Sequence, residues 1–483
     1  MSLPNRSLAL VTSLASFALA ACAVGPRYVR PELPERPAWA AAAPGTRAAG
    51  ADEALLASWW SAFDDPLLAS LVERAATSNL GLLQARARVR EARARRGAAV
   101  AELAPSVTAS TSASRSWPSE QSGGGGAADL FQAGLDASWE LDLFGGKRRA
   151  SEAAAASAEA ALEDARDVRV SLVAEVGLSY LGLRTTEARL AVARRNLAAL
   201  QETADLTRWR AEAGLTTQLD VEQARASLEQ QRAAVPQLER TAASDRNALA
   251  VLLGLQPGAL DAELAASRPV PAVSREVALG VPADALRRRP DVRRAERELA
   301  AQTAQVGVAQ AARFPSLTLS GSIGLEALAA GDLVAGNAVT SSLGAGLLAP
   351  IFDAGRLARA VEVQAAVLDE SLLAYRAAVL TALQEVEDAL YAFDREQARR
   401  AALAEAEGAA SQAAALARDQ YQAGLVAFTA VLDAERTLLG VQDSLAASDG
   451  EVASDLVRLF KALGGGWTAG GTATQTADAR EAP

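Results

Sequence analysis

Between Phe131 and Leu143 the chain alternates with period two. Phe131, Ala133, Leu135, Ala137, Trp139, Leu141 and Leu143 share one face of an extended strand, while Gln132, Asp136, Ser138, Glu140 and Asp142 share the other. "LTLSGSIGL" repeats the pattern, with Leu317, Leu319, Ile323 and Leu325 opposed to Thr318, Ser320 and Ser322. The stretches Val107 to Ser114 and Val339 to Ile351 alternate more weakly. These four stretches predict two strand hairpins, about 105–144 and about 314–352, closed by the Gly-rich loops "WPSEQSGGGGAAD" and "EALAAGDLVAGN". Each strand has about the 9–11 residues that a tilted membrane-spanning strand needs. A soluble, half-buried meander packed on helices would carry the same alternation.

Elsewhere the period is helical. From Phe144 to about Glu212 there is no Pro, and one helix of that length would extend about 100 Å at 1.5 Å per residue. An equivalent run goes from Asp353 to about Gln422. In it Leu368, Leu372, Tyr375, Val379, Leu383, Val386, Leu390 and Phe393 form a near-heptad seam, with Glu370, Arg376, Glu385, Glu387 and Asp388 between them. Gly214 and Gly424 are placed to end these runs in a left-handed conformation, and Thr217 or Thr429 to cap the next helices. Those helices return towards Gly254 and Gly464, so the expectation is two long antiparallel helical hairpins, about 145–254 and about 353–463, with their tips far from the strands. Pro290 and Asp291 suit the first turn of another helix. Arg287 to Arg289 read as a solvated, ion-paired cluster, and the Trp59-Trp60 pair as packing against a neighbouring element.

The chain also repeats itself. "AGLTTQLDVEQA" from Ala213 and "AGLVAFTAVLDA" from Ala423 lie 210 positions apart, as do Pro105 and Pro315, and "LFGGKRR" at Leu143 answers "IFDAGR" at Ile351 at 208. An internal duplication explains all three landmarks. It divides the chain into a first structural repeat, 53–270, and a second, 271–463, each a strand hairpin followed by a helical hairpin.

Composition narrows the function. The 483 residues are 50% hydrophobic yet only 4% aromatic, and Ala dominates, which suits long, closely packed helices. A net charge of −10 argues against a nucleic-acid partner. There is no His, one Cys, and the one Met is the first residue, so His-based triads, the usual zinc ligand sets and disulfide frameworks are absent, and no cofactor is expected. Gly123 to Gly126 lack the Gly-Lys-Ser/Thr of a phosphate loop.

Residues 1–21 read as an export signal, with Arg6 as its charged region and Leu8 to Ala20 as its apolar one. It ends in Leu19-Ala20-Ala21-Cys22, which resembles a bacterial lipobox in which Cys22 is lipidated. Ala23, where an Asp commonly signals inner-membrane retention, resembles an outer-membrane destination. Residues 22–52 read as a lipidated, extended, Pro- and Ala-rich linker, and 464–483 as a disordered tail.

Four strands cannot close a membrane barrel, and an open edge cannot face lipid, so spanning strands would have to be completed by other copies of the chain. "CAVGPRY" at Cys22, "WW" at Trp59, "DLFGGKRR" at Asp142, "RNALAVLLG" at Arg246, "VPADALRRRPDVRRAE" at Val281, "FPSLTLSGSIG" at Phe314, "PIFDAGR" at Pro350 and "YQAGLVAFTAVLDAER" at Tyr421 resemble the TolC-like outer-membrane factor family, in its NodT-type efflux lipoprotein branch. The resemblance implies a mainly helical chain whose long hairpins form a tube. It implies that four strands per chain are completed to a 12-stranded barrel in a homotrimer. It implies the passive exit duct of a tripartite efflux system, anchored in outer-membrane lipid and docked to a periplasmic adaptor and an inner-membrane transporter. The same resemblance puts the adaptor contact at Gly214, Leu215, Gly424 and Leu425, and a periplasmic gate at Asp419. Trp209 stands opposite Asp419 and Ala211 opposite Tyr421, so the two tips should differ. A duct for secreted protein and a periplasmic coiled-coil spacer are the alternatives. A spacer has no need of "FQAGLDASWELDLF".

Overall fold

The computed structural model describes residues 23–32, 39, 53–119, 121, 126–271 and 282–467. The signal segment, Cys22, most of the linker and residues 468–483 lie outside them. Among the described residues the helices are α1 (Glu53–Ala57), α2 (Pro66–Ser78), α3 (Leu80–Ala101), α4 (Gly146–Glu212), α5 (Gln218–Leu252), α6 (Pro282–Arg288), α7 (Pro290–Ala311), α8 (Arg356–Gln422) and α9 (Phe428–Ala462). The strands are β1 (Ser106–Ser116), β2 (Ala128–Leu141), β3 (Ser316–Ala327) and β4 (Val339–Leu348). The chain divides into two compact units. Of the described residues, one unit takes those up to Pro31 and those within 88–162 and 294–376; the other takes those within 32–87 and 163–293 and those from 377 on.

The first unit contains the sheet. Its order is β1-β2-β3-β4, antiparallel throughout, so the two hairpins lie side by side and β1 and β4 form the edges. An N-terminal strap also belongs here. Val24 donates its N–H to Phe144 O at 3.1 Å, and Arg149 donates to the carbonyls of Val24 and Gly25. Farther along, Glu296 on α7 gathers the strap: Tyr28 Oη donates to it at 2.9 Å and Arg30 pairs with it at 2.9 Å. Arg297 lies 5.3 Å over the Tyr28 ring.

The second unit holds the aromatic core. Trp59 is fully buried, stacked on Phe460 at 5.8 Å and edge-on to Phe63 at 6.0 Å, as expected for an anchoring Trp. The heptad seam of α8 is also buried at Val379, Leu383, Val386, Leu390 and Phe393. Two expectations need correction. Arg289 is not solvated: it is 6% exposed, pairs with Asp291 at 2.7 Å and Glu385 at 2.6 Å, and donates to Ala462 O. A buried guanidinium is tolerable there because three different elements supply its acceptors. Gly464 to Trp467, assigned to the tail, are packed instead. Gly466 N–H reaches Leu56 O at 2.7 Å, and Trp467 is 3% exposed between Arg166 and Arg293.

The duplication is sharper in three dimensions than in one. Ser110 faces Gly134 in the first hairpin and Ser320 faces Gly344 in the second, each displaced by 210. The left-handed Gly145 (φ 81) and Gly355 (φ 86) keep that displacement, and so do the helix starts Gly146 and Arg356. The apparent offset of 208 between "LFGGKRR" and "IFDAGR" is therefore a local resemblance that the pairing does not follow.

Candidate functional site

Each long helix closes with the same pair of backbone hydrogen bonds. Leu215 N–H reaches Arg210 O at 2.8 Å and Gly214 N–H reaches Ala211 O at 2.9 Å; Leu425 N–H reaches Gln420 O at 2.8 Å and Gly424 N–H reaches Tyr421 O at 3.0 Å. The closure needs a left-handed residue, supplied by Gly214 (φ 72) and Gly424 (φ 74). The next side chain is then thrown outward, and Leu215 and Leu425 are 66% and 75% exposed.

After the turn the two copies diverge. Thr217 caps α5 in a reciprocal box: Asp220 N–H donates to its hydroxyl, and Asp220 Oδ2 accepts its backbone N–H at 3.0 Å. The Thr216 hydroxyl beside Asp220 holds that carboxyl below its ordinary range; burial opposes this, and the side-chain and backbone hydrogen bonds from Thr217 add to the lowering. The second copy has Ala427 at the cap position, with no side-chain bond, and Thr429 lies inside the first turn of α9 rather than capping it. Packing replaces the cap, because Phe428 is buried against Tyr421, Val431, Leu432 and Ala224.

The two turns also touch. Arg210 lies 4.6 Å over the Tyr421 ring and donates to Gln422 O, while Tyr421 Oη meets Thr216 Oγ1 at 3.3 Å. Behind them the 3% exposed Glu435 accepts from Thr203 at 2.9 Å and pairs with Arg418 at 2.7 Å. The neighbouring Asp419 is exposed. Sequence reasoning missed Arg210, Thr216 and Glu435. For Glu435 a signal exists: it falls four residues after Val431 and three after Leu432, on the buried stripe of α9.

In the first unit the sheet has two unlike faces. The register puts Ala137 of β2 opposite Val107 and Gly321, Leu135 opposite Ala109 and Ile323, and Leu317 opposite both Leu141 and Leu347, so one face is apolar. The other carries Thr108, Ser110, Ser112, Gln132, Asp136, Ser320, Ser322 and Glu326. Its polar groups bond to one another, Ser110 to Asp136 at 2.9 Å and Gln132 to Glu326 at 2.9 Å. The apolar face is nonetheless exposed, with Leu343 at 90%, Val107 at 64% and Ile323 at 59%. A sheet that is apolar and uncovered on one face and hydroxylated on the other suits lipid on the first and water on the second.

The outer membrane efflux protein family model matches this chain twice, over residues 71–255 and 281–465, again displaced by 210. Nodulation protein T of Rhizobium leguminosarum bv. trifolii is 34% identical over 457 residues, covering 94% of this chain and 97% of its own. The pyoverdine export outer membrane protein OpmQ of Pseudomonas aeruginosa is 36% identical over 476 residues, covering 97% and 98%. Among solved structures, the outer-membrane channel OprN matches with a TM-score of 0.87 at 36% identity, covering 92% of this chain and all of that one. The open state of the Neisseria gonorrhoeae MtrE outer membrane channel matches at 0.83 and 28% identity, covering 92% and 99%. With strands, long helices and duplication all accounted for, the chain belongs to the outer membrane efflux protein family: it is a passive outer-membrane channel component, not an enzyme.

Proposed function

We propose that this chain is the trimeric exit duct of a tripartite pump, carrying small toxic molecules delivered by an inner-membrane transporter through a periplasmic adaptor. The observation that carries the reading is the sheet with an exposed apolar face and two open edges, which other copies of the chain would complete to a closed barrel of 12 strands. Export of small molecules is supported by relatives named for pyoverdine export and for toluene efflux, the latter in Pseudomonas putida. Lipidation at Cys22 would hold the chain to the membrane beside the strap that begins at Ala23.

Gly214, Leu215, Gly424 and Leu425 would meet the adaptor, because exposed Leu side chains on left-handed turns offer apolar contacts on a fixed backbone. Asp419 would line the gate, one residue from the Arg418 that braces Glu435. The duct itself would supply no energy. A strain lacking the gene should become more susceptible to a panel of toxic compounds, and the wild-type gene should restore tolerance. A susceptibility profile unchanged by deletion, with the partner pump expressed, would remove small-molecule export as the function.

A further inference from the structure

The foot of the sheet holds a cavity of about 590 Å³, the size of a small-molecule site, and all of its lining comes from the first unit. Three segments meet there: the end of β2 with the start of α4, the end of α7 with the start of β3, and the connection from β4 to α8.

Two observations fix the side on which it opens. Glu140, Ser316 and Leu348 line it, and their even numbers belong to the hydroxylated face of the sheet, with Ser316 opposite Leu348. The N-terminal strap, by contrast, lies on the other flank of the α4–α7 pair. Gly145 packs on Ala23 and Arg149 donates to the strap carbonyls, whereas Gly146 and Lys147 line the cavity. On α7, Gly307 and Gln310 pack on Gly25, whereas Val308 and Ala311 line the cavity. A strap that leads to a lipidated Cys22 belongs on the membrane side, so the cavity belongs on the water side.

Its lining joins an aromatic wall to one uncommitted cation. Phe144 and Phe314 stack at 4.6 Å, and Phe314 is still 42% exposed, so a further ring can extend the stack. The carboxylates are already engaged. Glu140 pairs with Lys147 at 3.2 Å, and Asp142 pairs with Arg148 at 3.1 Å and accepts the N–H groups of Lys147 and Arg148. Asp353 accepts the N–H groups of Gly355 and Leu357 at 2.9 and 2.8 Å. Arg356 lines the cavity, is exposed, and makes no ion pair among the described residues. A bound cation would have to compete with Lys147 or Arg148 for its carboxylate; a bound anion finds a free guanidinium.

We propose that this cavity binds flat aromatic anions, carboxylates or sulfonates, whose ring extends the Phe144–Phe314 stack and whose charge is met by Arg356. Its place on the water side rests on the duct reading above, to which it adds a resting point in the wall for one class of cargo.

Equilibrium dialysis of naphthalenesulfonate against the full-length protein in lipid nanodiscs, with empty discs as the blank, tests this. Saturable binding is expected, weakened about tenfold or more by Arg356→Gln and by Phe314→Ala, whereas a naphthylmethylammonium probe should not saturate. Both side chains are exposed, so neither substitution empties the core, and Gln310→Ala on the strap flank should keep the wild-type affinity. Absence of saturable binding to the wild type would overturn the site. Equal binding of the ammonium would overturn its charge preference, and binding unchanged by both substitutions would overturn its location. Conductance of the same preparation reads the duct separately: a conducting protein that does not bind loses the site alone, whereas binding without conductance keeps the site and removes the duct reading.

Discussion

Glu296 shows how much a single carboxylate organises. Burial raises its proton affinity, but hydrogen bonds from Tyr28 and Arg297 and the charges of Arg297 and Arg30 outweigh that and hold it below the ordinary carboxylate range. A group with a lowered folded pKa adds stability above its unfolded pKa and loses it as pH falls through the folded value. The strap is therefore expected to stay docked at neutral pH and to loosen only in acid below the ordinary carboxylate range. Glu296→Gln should loosen it at neutral pH, by about 1.5–3 kcal/mol per charged hydrogen bond lost, and add little in acid, where the wild-type carboxyl is already protonated. Hydrogen exchange over residues 23–31 reads this directly, and an unchanged exchange rate in the variant would show that the strap is held by other contacts. Gly424 poses a different residue-level question. Nothing lies within 4 Å of a Cβ built there, so Gly424→Leu meets only the left-handed backbone, at about 1–2 kcal/mol. That is small for a chain of this size. The trimer should survive while co-purification of the adaptor falls, and a variant that keeps the adaptor would take Gly424 out of the contact.

At the scale of elements, the two hairpin tips use different physics for the same turn. The first relies on the Thr217–Asp220 box and the second on the buried Phe428. Thr217→Ala should cost about 1 kcal/mol and speed hydrogen exchange in the first turn of α5, leaving α9 unchanged. Equal effects on both helices would mean that the tips act as one unit. What was legible in the sequence was whatever has a period or a local cause. The alternation of Phe131 to Leu141 gave β2, and the seam from Tyr375 to Phe393 gave the buried stripe of α8. What was not legible depends on partners distant in sequence. Arg289 looked solvated because Glu385 is 96 residues away, and Gly464 to Trp467 looked like tail because Arg166 and Leu56 are remote. Trp467→Ala should destabilise its unit by about 3–5 kcal/mol, the range for removing a buried large aromatic. A shift in melting too small to reflect such a loss would return that residue to the tail.

At the scale of the molecule, the duplication is the organising fact. One displacement of 210 relates the strand register, the left-handed glycines, the helix starts and the two family matches. Three chains would then give six near-equivalent helical hairpins and 12 strands, so a sheet that is incomplete in one chain becomes closed in the assembly. The resemblance named the family from motifs spread along the chain. The register of the sheet could not be read that way, since it depends on which residues face each other across β2 and β3. The central claim is that this chain forms a channel only with copies of itself. Reconstitution of the detergent-purified protein into planar bilayers, with its mass measured in the same preparation, tests that claim most directly. A trimer that inserts and conducts in steady steps is expected, whereas a stable monomer without conductance would contradict it.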